Sequence, residues 1–514
     1  MPQSYIERIL KARVYDVAAE SPLTLAKGLS RRHGNQVLLK REDLQPVFSF
    51  KLRGAYNKLW NLSPDARQRG VIAASAGNHA QGVSLGASRL GIEAVIVMPR
   101  TTPAIKVEAV RGWGAKAVLH GDSFDEAYAK AMELTEERGL TFIHPFDDPD
   151  VIAGQGTIGM EILHQHPDPP HAIFVPVGGG GLIAGVAAFV KTIRPEVKII
   201  GVEPEDAPTL HAALAAGERV MLDQVGLFAD GVAVRQIGEE TFRIARETVD
   251  EVVLVSADEI CAAIKDIFDD TRGIAEPAGA LSVAGLKRYV ERTGIGGEHL
   301  IAIESGANIN FDRLRHVAER AELGERREAL FAVGIPERPG SFLGFCRAIG
   351  KRQITEFNYR YADDREAQVF VGIELGGGAA EREQMIERLN AKGFSVLDMS
   401  DNETAKLHIR FMVGGQAPTV TDERLIRFEF PERPGALLNF LSSLGRRWNI
   451  SLFHYRNHGA AYGRVLMGIQ VPQAERPELT QLLNGLGYQF WDESDNPACR
   501  TFAGSGSDDG HSQG

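Results

Sequence analysis

The chain has 514 residues, of which 44% are apolar and 24% are charged, and its formal net charge at pH 7 is -11. A chain of this length holds about three or four folding units, and its composition is that of a packed soluble protein, not of a disordered or fibrous one. The acidic balance and the lack of an extended Lys/Arg cluster argue against a nucleic-acid-binding protein.

The cysteines and the N-terminal segment bear on the compartment. Cys261, Cys346 and Cys499 lie far apart in the sequence, so they predict neither a disulfide framework nor a metal site. The N-terminus lacks a basic segment followed by an apolar one, and no apolar run approaches the roughly 20 residues of a membrane helix. We therefore expect a cytoplasmic protein that contacts no membrane.

The part of the chain between about residues 20 and 310 has the pattern of an α/β fold. Short β-branched runs alternate there with longer amphipathic stretches, such as residues 124–138, which is typical of parallel strands joined by crossover helices. The predicted strands include residues 37–40, 71–74, 94–98, 173–177, 198–202 and 300–303.

The first candidate for chemistry is Lys51, in the run Ser49-Phe50-Lys51-Leu52-Arg53-Gly54. Two apolar neighbours at a predicted helix start would partly desolvate its amine, which lowers the pKa and favours imine formation. Taken alone, Lys51 has the character of an ordinary solvated surface lysine, because most lysines are exposed and have no special role.

A second candidate follows the predicted strand 71–74. The run Ser75-Ala76-Gly77-Asn78-His79 leads into a helix, and the N–H groups of a helix N-terminus can bind a carboxylate. An ordinary capped helix start explains the same residues.

The third candidate is the glycine run Gly178-Gly179-Gly180-Gly181-Leu182, between a strand and a helix. Such a run exposes consecutive backbone N–H groups at a helix N-terminus, which predicts a phosphate-binding cup. A nicotinamide-dependent oxidoreductase is a rival interpretation, because Gly179, Gly181 and Ala184 loosely fit a dinucleotide fingerprint and Glu203 could bind a ribose.

Two further turns lie near the end of the α/β region. Ser305-Gly306-Ala307-Asn308 follows the strand 300–303, and ligands bind at the carboxyl ends of strands in open α/β sheets. Glu276-Pro277-Ala278-Gly279-Ala280 is another turn into a helix, for which the sequence offers no independent chemical argument.

The C-terminal part contains an internal repeat. Pro336-Glu337-Arg338-Pro339-Gly340 recurs as Pro431-Glu432-Arg433-Pro434-Gly435, an offset of 431 minus 336, or 95 residues. In each copy the pattern predicts the order β, α, β, β, α, a small antiparallel sheet with helices on one face. The turn would open a helix whose apolar face carries Phe342, Phe345 and Ile349 in the first copy and Leu437, Phe440, Leu441 and Leu444 in the second.

The four motifs together resemble the fold-type II pyridoxal-phosphate enzymes, and among them the serine/threonine dehydratases. The likeness covers the α/β part, and the C-terminal pair, similar to ACT domains, extends it to the long, biosynthetic threonine deaminases. This resemblance implies a catalytic domain of two α/β subdomains at residues 1–323, a linker at 324–328, and ACT-like regulatory domains at 329–402 and 424–494. The tail at 503–514 is rich in Gly, Ser and Asp, so we expect it to be disordered.

The resemblance also implies roles for single residues. Lys51 would hold pyridoxal 5′-phosphate as a Schiff base and act as general base, and Asn78 would contact the ring hydroxyl. Gly178, Gly179, Gly180, Gly181 and Leu182 would bind the phosphate, and Ser305 would lie beside the pyridine nitrogen. Ser75, Ala76, Gly77, Asn78 and His79 would hold the substrate carboxylate.

The implied reaction is the deamination of L-threonine to 2-oxobutanoate and ammonia, with L-serine as a possible second substrate. The implied assembly is a homotetramer. Isoleucine would inhibit the enzyme, and valine would oppose that inhibition. Serine dehydratase, serine racemase, threonine synthase and cysteine synthase share the fold and remain alternatives. A non-enzymatic amino-acid sensor would explain the repeat but not the α/β part, and the repeat could also be an oligomerisation module.

Overall fold

The computed structural model describes residues 3–336, 341–350, 352, 354–360, 366–411, 421–431, 447–456 and 462–502. They form two compact units, Met1–Ala321 and Glu322–Gly514. The predicted tail at 503–514, the second predicted amphipathic helix around Phe440 and most of both Pro-Glu-Arg-Pro-Gly turns lie outside the described residues.

Unit 1 contains a six-stranded sheet that is parallel except at one edge. Its strands, in spatial order, are β1 (Leu23–Leu25), β2 (Gln36–Arg41), β10 (His299–Glu304), β7 (Ala172–Pro176), β8 (Lys198–Pro204) and β9 (Glu251–Val255). Only the edge strand β1 runs antiparallel to its neighbour.

Unit 1 also contains a second, smaller sheet of four parallel strands. Its spatial order is β5 (Lys116–Leu119), β4 (Ala94–Met98), β3 (Val71–Ala74) and β6 (Thr141–Phe142). The six strands predicted from the sequence are all present, each within two residues of the predicted bounds, because continuous buried β-branched runs are the strongest strand signal in a parallel sheet.

The helices of this unit lie between the strands, as crossover connections require. They are α1 (Gln3–Leu10), α2 (Lys27–His33), α3 (Lys51–Trp60), α4 (Pro64–Arg69), α5 (Asn78–Leu90), α6 (Ala104–Gly112), α7 (Phe124–Arg138), α8 (Pro149–Gln165), α9 (Gly181–Ile193), α10 (Thr209–Ala216), α11 (Glu239–Thr248), α12 (Ala257–Thr271), α13 (Pro277–Thr293) and α14 (Arg313–Gly324). The predicted helix at 124–138 is confirmed, and a Ser123 capping box starts it. Among the described residues, no helix combines the length and the apolarity needed to cross a bilayer.

A buried cluster of four charges fixes the start of α3. The guanidinium of Arg53 is fully buried and binds Glu42 through two nitrogens at 2.8 Å. It also donates to both carboxylate oxygens of Glu161, at 2.6 and 3.0 Å, and Lys40 donates to the same carboxylate at 2.6 Å. Two cations and two anions therefore neutralise one another out of contact with water.

Unit 2 consists of two four-stranded antiparallel sheets with the same strand order. The first copy comprises β11 (Glu328–Pro336), α15 (Ser341–Ile349), β12 (Ile354–Arg360), β13 (Glu366–Glu374), α16 (Gly378–Ala391), β14 (Ser395–Asp398) and α17 (Glu403–Leu407), with the sheet order β12-β13-β11-β14. The second comprises β15 (Glu423–Pro431), β16 (Asn449–Arg456), β17 (Tyr462–Gln470), α18 (Arg476–Gly485), β18 (Gln489–Asp492) and α19 (Pro497–Phe502), with the order β16-β17-β15-β18.

The repeat is therefore structural as well as sequential. Ser400 Oγ accepts the N–H of Leu330 at 3.0 Å, and Ser494 Oγ accepts the N–H of Leu425 in the same way. Each copy has a fourth strand, β14 or β18, that the predicted order lacks. These strands are four residues long and only half-buried, so they carry little of the alternating apolar pattern on which the prediction depended.

Both faces of the first sheet are buried, for different reasons. Phe331, Val333 and Ile335 pack with Phe345 and Ile349, on the helix side. The alternate residues Leu330 and Ala332 pack in one cluster with Leu425 and Leu466 of the second copy. Because side chains alternate across a strand, the same strand supplies its own core and the core shared by the two copies.

We expect the substitution Arg53→Met to destabilise unit 1 by about 3 to 5 kcal/mol, because it leaves the buried carboxylates of Glu42 and Glu161 with too little compensating charge. Urea unfolding of the full chain would measure the change. Arg8→Ala is the control: Arg8 pairs with Asp150 at 3.5 Å with a side chain 53% exposed, and its loss should cost less than about 1 kcal/mol. Equal effects of the two variants would contradict a structural role for the cluster.

Candidate active site

One cavity of unit 1 collects most of the residues singled out in the sequence. It occupies about 540 Å³, part of it open to solvent, at the carboxyl ends of β7 and β10. Its wall consists of Phe50, Lys51, Asn78, Pro145, Phe146, Gln155, Pro176, Gly178, Gly179, Gly180, Gly181, Leu182, Gly231, Val232, Val234, Glu276, Ala278 and Ser305. This is where open α/β sheets place ligands.

Lys51 is the first residue of α3, and the segment before it is fixed to the end of β10. The N–H of Phe50 donates to the carbonyl of Ser305 at 3.3 Å, and the carbonyl of Phe48 accepts from Ala307 at 2.8 Å. Burial lowers the pKa of Lys51, while the negative charges of Glu276 and Asp230 act in the opposite direction. A lysine amine that deprotonates easily is suited to attack an aldehyde.

The four glycines form a close-fitting turn into α9. Gly180 has φ +91°, which a residue with a side chain rarely adopts, and a Cβ on Gly179 would overlap the ring of Phe146. The carbonyl of Gly179 accepts the Thr241 hydroxyl at 2.7 Å, so the turn is held from outside the cavity. The N–H groups of the first turn of α9 have no acceptor within the helix and are available to an anion.

Asn78 and Ser305 lie in the wall of the same cavity. Asn78 donates to Glu276 Oε1 at 2.5 Å, and Ser305 Oγ donates to the carbonyl of Ala278 at 3.3 Å. Burial, together with the nearby charge of Asp230, raises the pKa of Glu276 to about 7.

The remaining residues of the predicted substrate loop are not part of the cavity wall as described. Ser75, Ala76 and Gly77 are half-buried beside Asn78, and the Gly77 N–H donates to Ser75 Oγ at 3.2 Å. His79 points elsewhere: its Nε2 contacts the Ile143 carbonyl at 2.8 Å. Burial lowers the pKa of His79 to about 3, so its ring is neutral at physiological pH.

Glu203, the residue that the nicotinamide interpretation assigned to ribose binding, has a structural role. Glu203 is fully buried, and its two carboxylate oxygens accept the N–H groups of Leu210 and His211 at 2.7 and 2.9 Å. Glu203 therefore caps the first turn of α10 and does not line the cavity.

Several residues of the cavity were not identified from the sequence. Phe146 packs against the glycines, and the turn that carries it is shaped by His144 Nδ1, which accepts the Asp147 N–H at 2.8 Å. Gln155 accepts the Gly54 N–H at 3.2 Å. No local pattern marks these side chains. Glu276 precedes Pro277 at the start of a helix. This pattern predicted the turn correctly but indicated no chemical role for Glu276.

An ion pair lies next to one segment of the cavity wall. Lys106, on helix α6 between β4 and β5, donates to Asp230 at 2.9 Å, and the two residues after Asp230, Gly231 and Val232, line the cavity. Arg313 donates to the other oxygen of Asp230 at 3.3 Å. Although burial raises the pKa of Asp230, these two cations outweigh it and hold the pKa well below its usual range.

The wall can accommodate pyridoxal 5′-phosphate. It offers an amine for the aldehyde, backbone donors for the phosphate, an amide for the ring oxygen and a hydroxyl for the pyridine nitrogen. The glycines allow this turn to pack directly against Val232, Phe146 and Thr241, where any Cβ would collide, and the turn leads into the N-terminus of α9, whose N–H groups can bind an anion.

Two family models match the chain. The family described as pyridoxal-phosphate-dependent enzymes matches residues 14–306. The C-terminal regulatory domain of threonine dehydratase matches twice, at residues 319–409 and 414–503.

Curated relatives match over nearly the full length. A biosynthetic L-threonine dehydratase of Burkholderia multivorans is 59% identical, and the match covers 97% of this chain and 99% of the relative. The Escherichia coli protein of the same name is 55% identical over 97% of this chain and 96% of the relative. A chloroplastic biosynthetic threonine dehydratase of Arabidopsis thaliana is 56% identical over 96% and 83%.

Solved structures match a smaller share of the chain. The processed form of threonine deaminase isoform 2 from Solanum lycopersicum is 55% identical with a TM-score of 0.61, covering 62% of this chain and 93% of that one. A threonine deaminase of T.th. is 39% identical with a TM-score of 0.56, covering 60% and 99%. Maize serine racemase is 32% identical with a TM-score of 0.58, covering 61% and 96%.

The substitution Gly179→Ala tests the cup. Its methyl group would collide with Phe146, so the turn must shift and its N–H groups lose their alignment towards a bound anion. A lost hydrogen bond to a charged group costs about 1.5 to 3 kcal/mol, so we expect the affinity for pyridoxal 5′-phosphate to fall by about 10-fold or more. Titration of the cofactor-free protein would measure the dissociation constant. Gly112→Ala is the control, since a Cβ there meets nothing within 4 Å. Unchanged affinity in Gly179→Ala would argue against the cup.

Proposed function

The chain belongs to the biosynthetic threonine dehydratases, a family of pyridoxal-phosphate-dependent enzymes, and on this basis we propose that the cavity of unit 1 is its active site. The protein is a lyase that uses pyridoxal 5′-phosphate to deaminate L-threonine. The overall reaction removes the amino group and the β-hydroxyl and yields 2-oxobutanoate and ammonia. We propose that it is the first committed step of isoleucine biosynthesis.

One observation supports the assignment of the site more than any other. A single cavity holds a group for each polar part of the cofactor, although these groups come from positions as distant as Lys51 and Ser305. When bound, the cofactor supplies an electron-withdrawing ring that stabilises negative charge at the substrate Cα.

Lys51 has two tasks in this proposal. It would hold the cofactor through its aldehyde, and with substrate bound its Nζ would remove the Cα proton as general base. The electron pair of the broken C–H bond forms the Cα–Cβ double bond as the β-hydroxyl leaves, and the proton held on Lys51 Nζ passes to that hydroxyl, so that it leaves as water. The lowered pKa of Lys51 favours the amine form that this task needs.

Ser305 sets the outcome of the chemistry. Ser305 would contact the pyridine nitrogen of the cofactor, and its neutral hydroxyl would not keep that nitrogen protonated as a carboxylate would. A ring held in this way would withdraw less charge, which would favour loss of the β-hydroxyl over transamination.

The substitution Lys51→Ala should abolish turnover and remove the visible absorbance band of the lysine-bound cofactor, because no other side chain of the cavity wall is an amine. Borohydride treatment followed by peptide mapping would locate the labelled residue. Lys58→Ala is the control: Lys58 lies on the same helix and pairs with Asp148 at 2.7 Å, away from the cavity wall. A Lys51→Ala protein that kept both activity and band would refute the assignment.

The second unit favours a regulated threonine dehydratase over a serine racemase. Its two sheets each match the C-terminal regulatory domain of threonine dehydratase. We propose that isoleucine binds unit 2 and inhibits the enzyme, and that valine opposes it. Linkage requires that each effector bind one conformational state better than the other.

The assembly and the compartment are part of the same proposal. The resemblance to long threonine deaminases is the basis for a homotetramer. The cysteines are sparse, and Cys261 and Cys499 are buried and not part of a disulfide, which supports a reducing compartment such as the cytoplasm.

Truncation after Gly324, the end of α14, should leave a competent enzyme that no longer responds to isoleucine. The boundary between the two compact units lies after Ala321, three residues before this truncation. The solved threonine deaminase of T.th. matches only 60% of this chain but is itself covered to 99%, so a shorter protein of this kind exists. Threonine turnover with and without isoleucine, in the truncated and full chains, is the measurement. Inhibition that survives truncation would place the effector site in unit 1.

A further inference from the structure

The carboxamide of Asn78 forms hydrogen bonds through both its oxygen and its nitrogen. Asn308 Nδ2 donates to Asn78 Oδ1 at 2.7 Å, and Asn78 Nδ2 donates to Glu276 Oε1 at 2.5 Å. Asn308 also donates to the carbonyl of Val47 at 2.7 Å. Neither Asn308 nor Glu276 received a chemical role from the sequence.

These contacts determine which way the Asn78 amide faces. A backbone carbonyl can only accept, so the Val47 carbonyl requires that Asn308 direct its NH₂ group towards it. Both hydrogens of that NH₂ are then used, one on Val47 and one on Asn78 Oδ1. A reversed Asn78 would bring two NH₂ groups together on one side and two oxygens together on the other. Its oxygen is therefore occupied, and its nitrogen faces Glu276 with one hydrogen left over.

Glu276 is held in place by its backbone and by its neighbours. It is the N-cap of α13 and is 4% exposed, and its N–H donates to the Gly306 carbonyl at 3.0 Å. A Cβ on Gly306 would lie 2.5 Å from Glu276 Oε1. The turn Ser305-Gly306-Ala307-Asn308 therefore admits the carboxyl group because its second residue is glycine, and it supplies Asn308 two residues later.

Resting on the proposed function, we propose that Asn308 and Glu276 are positioning residues that lock Asn78 with an N–H directed into the cavity. Asn78 then offers a donor to the ring oxygen of the cofactor and favours the anionic form of that oxygen. Without the lock, the amide can turn and present its own oxygen, which repels that anion.

The absorption spectrum of the bound cofactor reports this directly, because ionisation of the ring hydroxyl moves its band from the near ultraviolet to the visible. Asn308→Asp is nearly isosteric but its carboxylate cannot donate, so Asn78 must turn its NH₂ group towards residue 308. We expect the full-length holoenzyme of this variant to lose most of the visible band. The cofactor dissociation constant should rise roughly 10-fold or more, as for a lost hydrogen bond to a charged group.

Two variants at Glu276 give an independent test should Asn308→Asp fold poorly. Glu276→Gln keeps an oxygen that accepts from Asn78, so the visible band should remain. Glu276→Leu removes the acceptor, and the band should shift to the near ultraviolet. Equal spectra of these two variants would overturn the role of Glu276.

Asn35→Asp is the matched control for the same chemical change. Asn35 is buried, donates to the carbonyls of His33 and Ile295, and is not part of the cavity wall. The absorption spectrum of the cofactor bound to the Asn35→Asp variant should therefore equal that of the wild type. A wild-type spectrum for Asn308→Asp would refute this inference alone. Absence of a cofactor band from the wild-type protein would refute the proposed function instead.

Discussion

The geometry of the cavity that contains Lys51 depends on the burial of Arg53. This side chain lies two residues after Lys51 on the same helix, and it is fixed by Glu42 and Glu161, with Lys40 balancing the charge. A buried guanidinium that loses its partners costs several kcal/mol, so α3 cannot rotate or slide without a large penalty. The direction in which Lys51 enters the cavity is thereby set by a charge cluster whose members are not part of the cavity wall.

Close contact between helix backbones then places the glycine cup relative to Lys51. A Cβ on Gly154 would lie 2.6 Å from the Cα of Gly54, so α8 and α3 touch through their main chains. On the other side of α8, a Cβ on Gly185 would lie 2.6 Å from the nitrogen of Gly156, which brings in α9. Main-chain contacts of this kind do not depend on side-chain rotamers, so the starts of α3 and α9 keep a fixed separation.

The two copies in unit 2 pack their sheets in the same way. Each copy uses one face of its sheet for its own helices and the other face for the shared cluster that contains Leu330 and Leu425. A substitution on that second face would therefore affect both copies together. The shared cluster therefore couples the two copies of unit 2 mechanically.

The sequence by itself determined the elements whose signals are local. Buried β-branched runs predicted the strands of the parallel sheet, spacing predicted the repeat, and four ordered motifs pointed to Lys51, Asn78, the glycine cup and Ser305. Only the tertiary structure decided that Glu203 caps a helix, that Phe146 closes the cup, and that Asn308 and Glu276 hold Asn78. Asn78 and Glu276 are 198 residues apart, and burial, pKa and hydrogen-bond partners arise only when such distant segments are packed together.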